Sequence, residues 1–522
     1  MSRWFNTAGP CAPEDHYMLP VGRRMPGVRG LVDQKAYFVV HAPRQVGKTT
    51  SLLAFGRELT AEGRYAAVLL SMEVGAGFPE DTGAAELAIL DVWRRAAGWR
   101  LPAELQPPPW PEAPAGSRIG AALQAWSRAC PRPLVVFLDE IDALSGDVLI
   151  SMLRQIRDGY AERPAGFPWS LALVGLRDVR DYKAAAPGSE ADRAGARLGS
   201  ASPFNIKVRS LTMRDFNAAE VTELYAQHSA DTGQIFTPEA CARAFELTQG
   251  QPWLVNALAK EAVEELVVDR AEPITPEVLE AAKEELIRRQ DTHLDSLAER
   301  LRETRVRRII EPILAGEALP AVPEDDLRYV LDLGLVRRSS LGGLVVANPI
   351  YREVIPRSLI SVPSASLPQI PATWLTAEGH LDAERLLEAF LVFWRQHGEP
   401  LLGSSPYHEV APHLVLMAFL HRVANGGGIV EREYAIGSGR MDLLLTYRED
   451  RLAIELKVWR DGEADPLAEG LVQLDRYLAG LGLDSGWLVI FDRRSGQPRI
   501  SQRTGRQEAS TAAGRRVAVV RA

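Results

Sequence analysis

Five short apolar runs constrain the fold more than any other feature of this chain: AYFVVH (36–41), AAVLLS (66–71), PLVVFLD (133–139), LALVGL (171–176) and NIKVRS (205–210). They show little alternation with polar residues, so each reads as a strand buried on both faces. Helical patterns separate them; in TTSLLAFGREL, for example, Leu52, Phe55 and Leu59 fall on one stripe. Strands alternating with helices build an open, mostly parallel sheet, which makes the class α/β. With 522 residues the chain exceeds what one core organises, so it is expected to be multidomain.

From 213 to 290 the pattern turns helical, with Thr-Pro starts and Gly stops. Residues 291–360 mix helices with GLVRRSSLGGLVVANPIYREVI, two short strands around a Gly-rich turn, and this part resembles a winged helix. SVPSASLPQIPAT (361–373) is rich in Pro and Ser and reads as a linker. The expected organisation is therefore a core (1–212), a helical lid (213–290), a winged helix (291–360), the linker, and a C-terminal domain (374–522). Cys11, Cys130 and Cys241 are scattered and form no C-x-x-C pair, which argues against a disulfide framework or a thiolate zinc site. The N-terminal stretch lacks an apolar h-region, and no apolar run is long enough to cross a bilayer. A cytoplasmic protein without membrane contact is expected.

In YFVVHAPRQVGKTT a buried strand runs through a loop into a helix. Backbone amides from Gln45 through Val46, Gly47, Lys48, Thr49 and Thr50 can cradle phosphates there, with Lys48 on the β and γ phosphates and Thr49 on Mg2+. Ala42 stands where the P-loop pattern has its first Gly, and Pro43 removes a donor. Taken alone, Gly-Lys-Thr also reads as a helix start with a surface Lys. The run ending in Asp139 and Glu140 favours the phosphate reading, because ligands bind at the carboxyl ends of parallel strands. Asp139 would orient Mg2+ and Glu140 would take a proton from the attacking water, although an Asp here can also cap the next helix.

Several ordered motifs, among them HAPRQVGKTT, VVFLDEID, GLRDVRDYK and TQGQPWLVNALA, resemble the prokaryotic P-loop ATPases of the AAA-like and STAND-related group over residues 1–290. The resemblance implies ATP as cofactor, a sheet order 5-1-4-3-2, a helical lid and a pocket closed by Gly250–Pro252. It places Arg177 at a sensor position, where it would read the γ-phosphate or act across a subunit boundary; an ion pair with Asp178 or Asp181 is the alternative. Association of copies through the ATPase domain is a further expectation.

The second cluster lies in RLAIELKVW (451–459), which sends Ala453, Glu455 and Lys457 to one strand face. An edge strand with one wet face has the same pattern. Lysine is scarce, however, with seven among 60 basic residues, and Lys457 is one of them. A compact ammonium kept where Arg is otherwise preferred suggests a specific role. Upstream, GSGRMDLLLTYRED carries Asp442; a turn at REDR would form a hairpin on which Asp442 and Glu455 converge. Two close carboxylates call for a cation, and hard oxygens suit Mg2+ or Mn2+. Downstream, Gln473 and Tyr477 share a helix face at i and i+4.

E-x-K followed by Q-x-x-x-Y resembles the RecB-like branch of the PD-(D/E)XK nucleases over residues 400–495. That resemblance implies Asp442 and Glu455 as metal ligands together with the Leu456 carbonyl, Lys457 as the catalytic lysine, and Gln473 and Tyr477 as supports. Glu409 is the helix-borne acid favoured to complete the set, with Glu431 and Glu433 as alternatives; Tyr477 also reads as a packing residue and Glu409 as a helix-dipole partner. The combined expectation is an ATPase controlling a DNA-cutting nuclease, with a role against foreign DNA. The rivals are a STAND-like switch that binds nucleic acid without cutting, and a DNA-translocating motor. The net charge is −8, but residues 492–522 hold eight arginines against one Asp and one Glu, a candidate phosphate contact or a solvated tail.

Overall fold

The computed structural model describes residues 3–177, 206–289, 299–301, 303–315, 319, 321–339, 342–352, 354–355, 374–376, 379–404, 416–417, 419–420, 428–436 and 439–522. The linker expected at 361–373, Glu409, Asp178 and Asp181 lie outside them. Two compact units emerge, one of residues 1–295 with 322–350 and one of 296–321 with 351–522.

In the first unit four of the apolar runs become β1 (Tyr37–His41), β2 (Ala66–Ser71), β3 (Leu134–Asp139) and β4 (Ser170–Gly175), whereas β5 (Arg209–Thr212) begins only at the end of NIKVRS and, as a largely exposed edge strand with Val208 62% exposed before it, does not fit the expected burial on both faces. All pair in parallel, in the order β2-β3-β4-β1-β5, which is the expected 5-1-4-3-2 read from the other edge. Alternation divides β1 to β4 between two cores. Tyr37 and Val39 face a cluster with Ile89 and Trp93 of α3 (Thr82–Arg100), Trp126 of α4 (Arg118–Ala129) and Met152 of α5 (Gly146–Asp158). Phe38 and Val40 face another with Leu31 and Val32 of α1 (Val28–Asp33) and Leu52, Phe55 and Leu59 of α2 (Lys48–Ala61). Burial on both faces explains why the strands read as continuous apolar runs.

The region expected to form a lid folds into α6 (Ala218–Thr232), α7 (Pro238–Thr248), α8 (Pro252–Glu261) and α9 (Pro276–Arg289). Its starts follow local rules: Asn217 and Glu220 form a capping box, and Thr237 and Gln251, each directly ahead of an N1 proline, accept from Ala240 N and Leu254 N. The N-terminal segment docks on this lid, with Phe5 among Tyr17, Tyr225, His228 and Phe236. Helix α10 (Thr304–Ala315) falls in the second unit, whereas α11 (Glu324–Asp332) and the hairpin β6 (Val336–Arg338)/β7 (Leu344–Val346) fall in the first.

The second unit is built on a six-stranded mixed sheet, β12-β13-β11-β10-β9-β8. β8 (Gly428–Ile436), β9 (Gly439–Tyr447) and β10 (Asp450–Trp459) form an antiparallel meander, preceded by α12 (Ala383–Ser404). Helix α13 (Leu467–Leu481) then crosses over to β11 (Ser485–Asp492), parallel to β10. The short helix α14 (Ile500–Arg503) leads into β12 (Gly505–Ser510), an edge strand, and β13 (Arg516–Arg521). Leu474, Tyr477 and Leu478 of α13 pack on Leu444, Ala453, Leu488 and Val519. The arginine-rich tail is thus part of the sheet, and Arg494, Arg506, Arg515 and Arg521 pair with Asp492, Glu384, Asp475 and Asp465.

Candidate functional site

The loop after β1 turns sharply into α2. Gln45 has φ 57° and Gly47 φ 86°, and Gly47 is the N-cap of α2. That left-handed step suits glycine and aims the first amides of the helix at one point. Lys48 folds over the loop, donating to the carbonyls of Ala42 (2.7 Å) and Pro43 (2.8 Å). Burial pulls its pKa down to about 8, against the attraction of Asp142 and Asp139. Thr49 Oγ1 donates to Asp139 Oδ2 at 2.7 Å, which brings the helix start to the carboxyl end of β3. Asp139 is held above the usual carboxylate range by burial, partly offset by Thr49 and Lys48. Glu140, in a left-handed conformation (φ 58°), rises to about 7 because its surroundings desolvate it and Glu73 lies beside it.

These groups line a cleft of about 600 Å3 that also takes in Asn6 to Cys11, Arg100, Pro252, Trp253 and Asn256. That volume is in the range of small-ligand sites. Gly250 closes the lid turn: at φ 79° its missing Cβ would stand 1.8 Å from the Phe216 carbonyl oxygen. Gln45, Gly47, Lys48, Thr49, Thr50, Asp139, Glu140 and Pro252 therefore meet in one cleft, while Val46 is buried behind it and its carbonyl accepts from Arg24 (2.7 Å). Arg177 turns elsewhere. It donates to Asp332 Oδ2 of α11 at 3.1 Å and lies over the Tyr329 ring. Sequence spacing offered only Asp178 and Asp181 as partners, since it cannot see a residue 155 positions away. The N-terminal segment and Asn256 were missed for the same reason.

In the second unit β10 is interior, not an edge, and Glu455 is 3% exposed. The one-wet-face reading of RLAIELKVW fails because α13 covers that face. The β9/β10 hairpin turns at Arg448 and Glu449, and its register sets Leu443 opposite Ile454. Asp442 and Glu455 are the next residues on each strand, and Asp442 Oδ2 accepts from Leu456 N at 2.7 Å. Burial and the Asp442 charge push Glu455 up to about 7, against the pull of Lys457. Lys457 Nζ donates to Glu455 Oε1 at 3.0 Å and to Gln473 Oε1. Burial opposes its charge, but Glu455, Asp442 and Glu469 more than compensate and hold its pKa above the ordinary value.

Glu469, which the sequence reading missed, accepts from Gln473 Nε2 at 3.1 Å and stands 3.8 Å from Lys457 Nζ. Its signal was the same i, i+4 spacing that joins Gln473 to Tyr477. Tyr477 packs in the core beneath. Glu431 and Glu433 lie on β8, where the register sets Glu431 opposite Leu444. Among the described residues no group of three His, Cys, Asp or Glu side chains is placed to hold a metal. Glu455 Oε2 is nevertheless buried and has no hydrogen-bond partner, and a buried carboxylate oxygen facing a second acid fits a hard cation.

The five-stranded parallel sheet, its Gly-Lys-Thr loop and Asp139 fit the α/β fold of P-loop ATPases. No protein-family model and no curated protein matches the chain. Among solved structures, a Walker-type ATPase of Pyrococcus abyssi is 13% identical, with 67% of this chain and 99% of that one covered and a TM-score of 0.47. RuvB of Thermotoga maritima, a Holliday junction branch migration motor, is 16% identical over 64% of this chain and 92% of its own, at 0.35. The ORC2 protein of Aeropyrum pernix is 15% identical over 67% and 98%, at 0.37. At these identities and scores the likeness says nothing about activity. Among the described residues no helix is long and apolar enough to cross a membrane.

Proposed function

We propose that the chain hydrolyses ATP and that its nucleotide state controls a divalent-cation-dependent nuclease in the C-terminal unit, with DNA as substrate. The nuclease half rests on Glu455, whose buried Oε2 lacks a partner while Oε1 holds Lys457. Leaving a buried carboxylate oxygen unpaired costs about 1–3 kcal/mol, an arrangement better suited to binding a cation than to packing.

Asp442, Glu455 and the Leu456 carbonyl would hold Mg2+ or Mn2+, and Thr49 and Asp139 would hold the Mg2+ of the nucleotide. Bound there, such cations neutralise phosphate charge and make water more acidic. Lys457 presents a fixed ammonium beside the carboxylates, where it offsets negative charge on the phosphate being cut. Gln473 keeps it in place and Glu469 adds a weaker hold. In the ATPase unit, Lys48 exchanges the two loop carbonyls for phosphate oxygens. Glu140, with a pKa near 7, is suited to take the proton from the attacking water.

Incubating the purified protein with plasmid and linear DNA, with and without ATP, in Mg2+ or Mn2+, tests both halves. Cleavage that needs the cation and changes with ATP is expected. Intact DNA in every mixture, with ATP turnover present, would leave only the ATPase. In that event the remaining reading is a switch that binds nucleic acid without cutting, against which the intact set of Asp442, Glu455 and Lys457 argues.

A further inference from the structure

We infer that Asn256 reads the nucleobase, by accepting a hydrogen bond from the exocyclic amine of adenine. This rests on the proposal that the cleft holds a nucleotide. Asn256 lies on the second turn of α8, is 8% exposed, and lines that cleft. Its amide orientation is fixed by chemistry: Nδ2 donates to the Pro252 carbonyl at 2.8 Å, a bond that only the nitrogen can make. Oδ1 is left buried with no partner. An acceptor held in that state is costly unless a ligand supplies a donor.

The cleft runs from the phosphate loop to this residue through the N-terminal segment. Cys11 N donates to Thr50 Oγ1 at 3.0 Å, directly after the Lys48–Thr49 pair. Four residues upstream, the Thr7 carbonyl accepts from Trp253 Nε1 at 2.9 Å, three positions before Asn256. With the triphosphate on the loop, the base therefore reaches the Pro252–Asn256 end. Trp253 Nε1 is spent on Thr7 O and Asn6 Nδ2 on Gly9 O and Cys11 Sγ, whereas Asn256 Nδ2 keeps one N–H beyond its bond to Pro252 O. The buried group left without a partner there is the Oδ1 acceptor. It matches the adenine amine and leaves the O6 carbonyl of guanine facing another acceptor.

Calorimetric affinities of nucleoside diphosphates, which remove hydrolysis from the comparison, test this. Wild-type protein should bind ADP about 10- to 100-fold more tightly than GDP or the 6-deaminated purine riboside diphosphate. Asn256→Leu should lose that preference by weakening ADP alone. Equal wild-type affinity for ADP and the deaminated analogue overturns the inference, whatever the variant does. So does an Asn256→Leu protein that weakens both equally, the result expected of a purely structural amide. If wild-type protein binds none of the three, the nucleotide-site reading itself fails, a different outcome from binding without base preference.

Discussion

Lys48 and Lys457 are both scarce lysines beside carboxylates, yet their surroundings act on them in opposite directions. Lys48 sits on two neutral carbonyls, and burial draws its pKa down to about 8. Lys457 touches Glu455, lies near Glu469, and is held above its ordinary value. The first ammonium lacks a charged partner in contact, so a triphosphate offers it what the loop cannot. The second already has its anions, and it is the oxygen Glu455 leaves unpaired that awaits a ligand. On the proposed reading the first site receives an anion and the second a cation.

Substitution of either lysine should divide the activities most strongly. Lys457→Ala should reduce cation-dependent DNA cleavage by about 100- to 1000-fold, with ATP turnover changed less than about twofold. Lys48→Ala should reduce ATP turnover by about 100-fold and make residual cleavage indifferent to ATP. Loss of ATP turnover in the Lys457 variant would mean that the two lysines do not serve separate sites.

A smaller effect follows from the cation preference of the second site. Mn2+ at about one hundred times its Kd should stabilise the C-terminal unit by about 2.7 kcal/mol, read as a shift of its melting transition. Glu455→Ala should abolish most of that shift; an unchanged shift would place the cation elsewhere. The smallest effect concerns the packing of the N-terminal segment on α6. His228 is 2% exposed between Tyr17 and Gln234, and burial depresses its pKa below the ordinary 6.5. A depressed pKa contributes stability above the unfolded value that is lost as pH falls through the folded one. Protease resistance of the N-terminal segment should therefore drop as the pH falls below 6.5, and His228→Gln should flatten that dependence.

The parallel sheet was readable because burial on both faces leaves a continuous apolar signature, and β2 spans the very residues of the AAVLLS run. The phosphate loop was readable because its groups are contiguous. Arg177 shows the opposite case, since its partner Asp332 comes from a distant segment. Glu455 and Lys457 were visible as an alternation, but that alternation alone fits an edge strand equally well.

Local chemistry in the sequence determined which segments become strands, where the lid helices start, and which lysines stand out against arginine. Those are short-range matters of side-chain period, caps and loop composition. Tertiary structure alone decided that α13 covers Glu455, that Asp332 holds Arg177, and that Asn256 lines the same cleft as Lys48. Burial and hydrogen-bond satisfaction are properties of the whole packed environment, and no spacing along the chain encodes them.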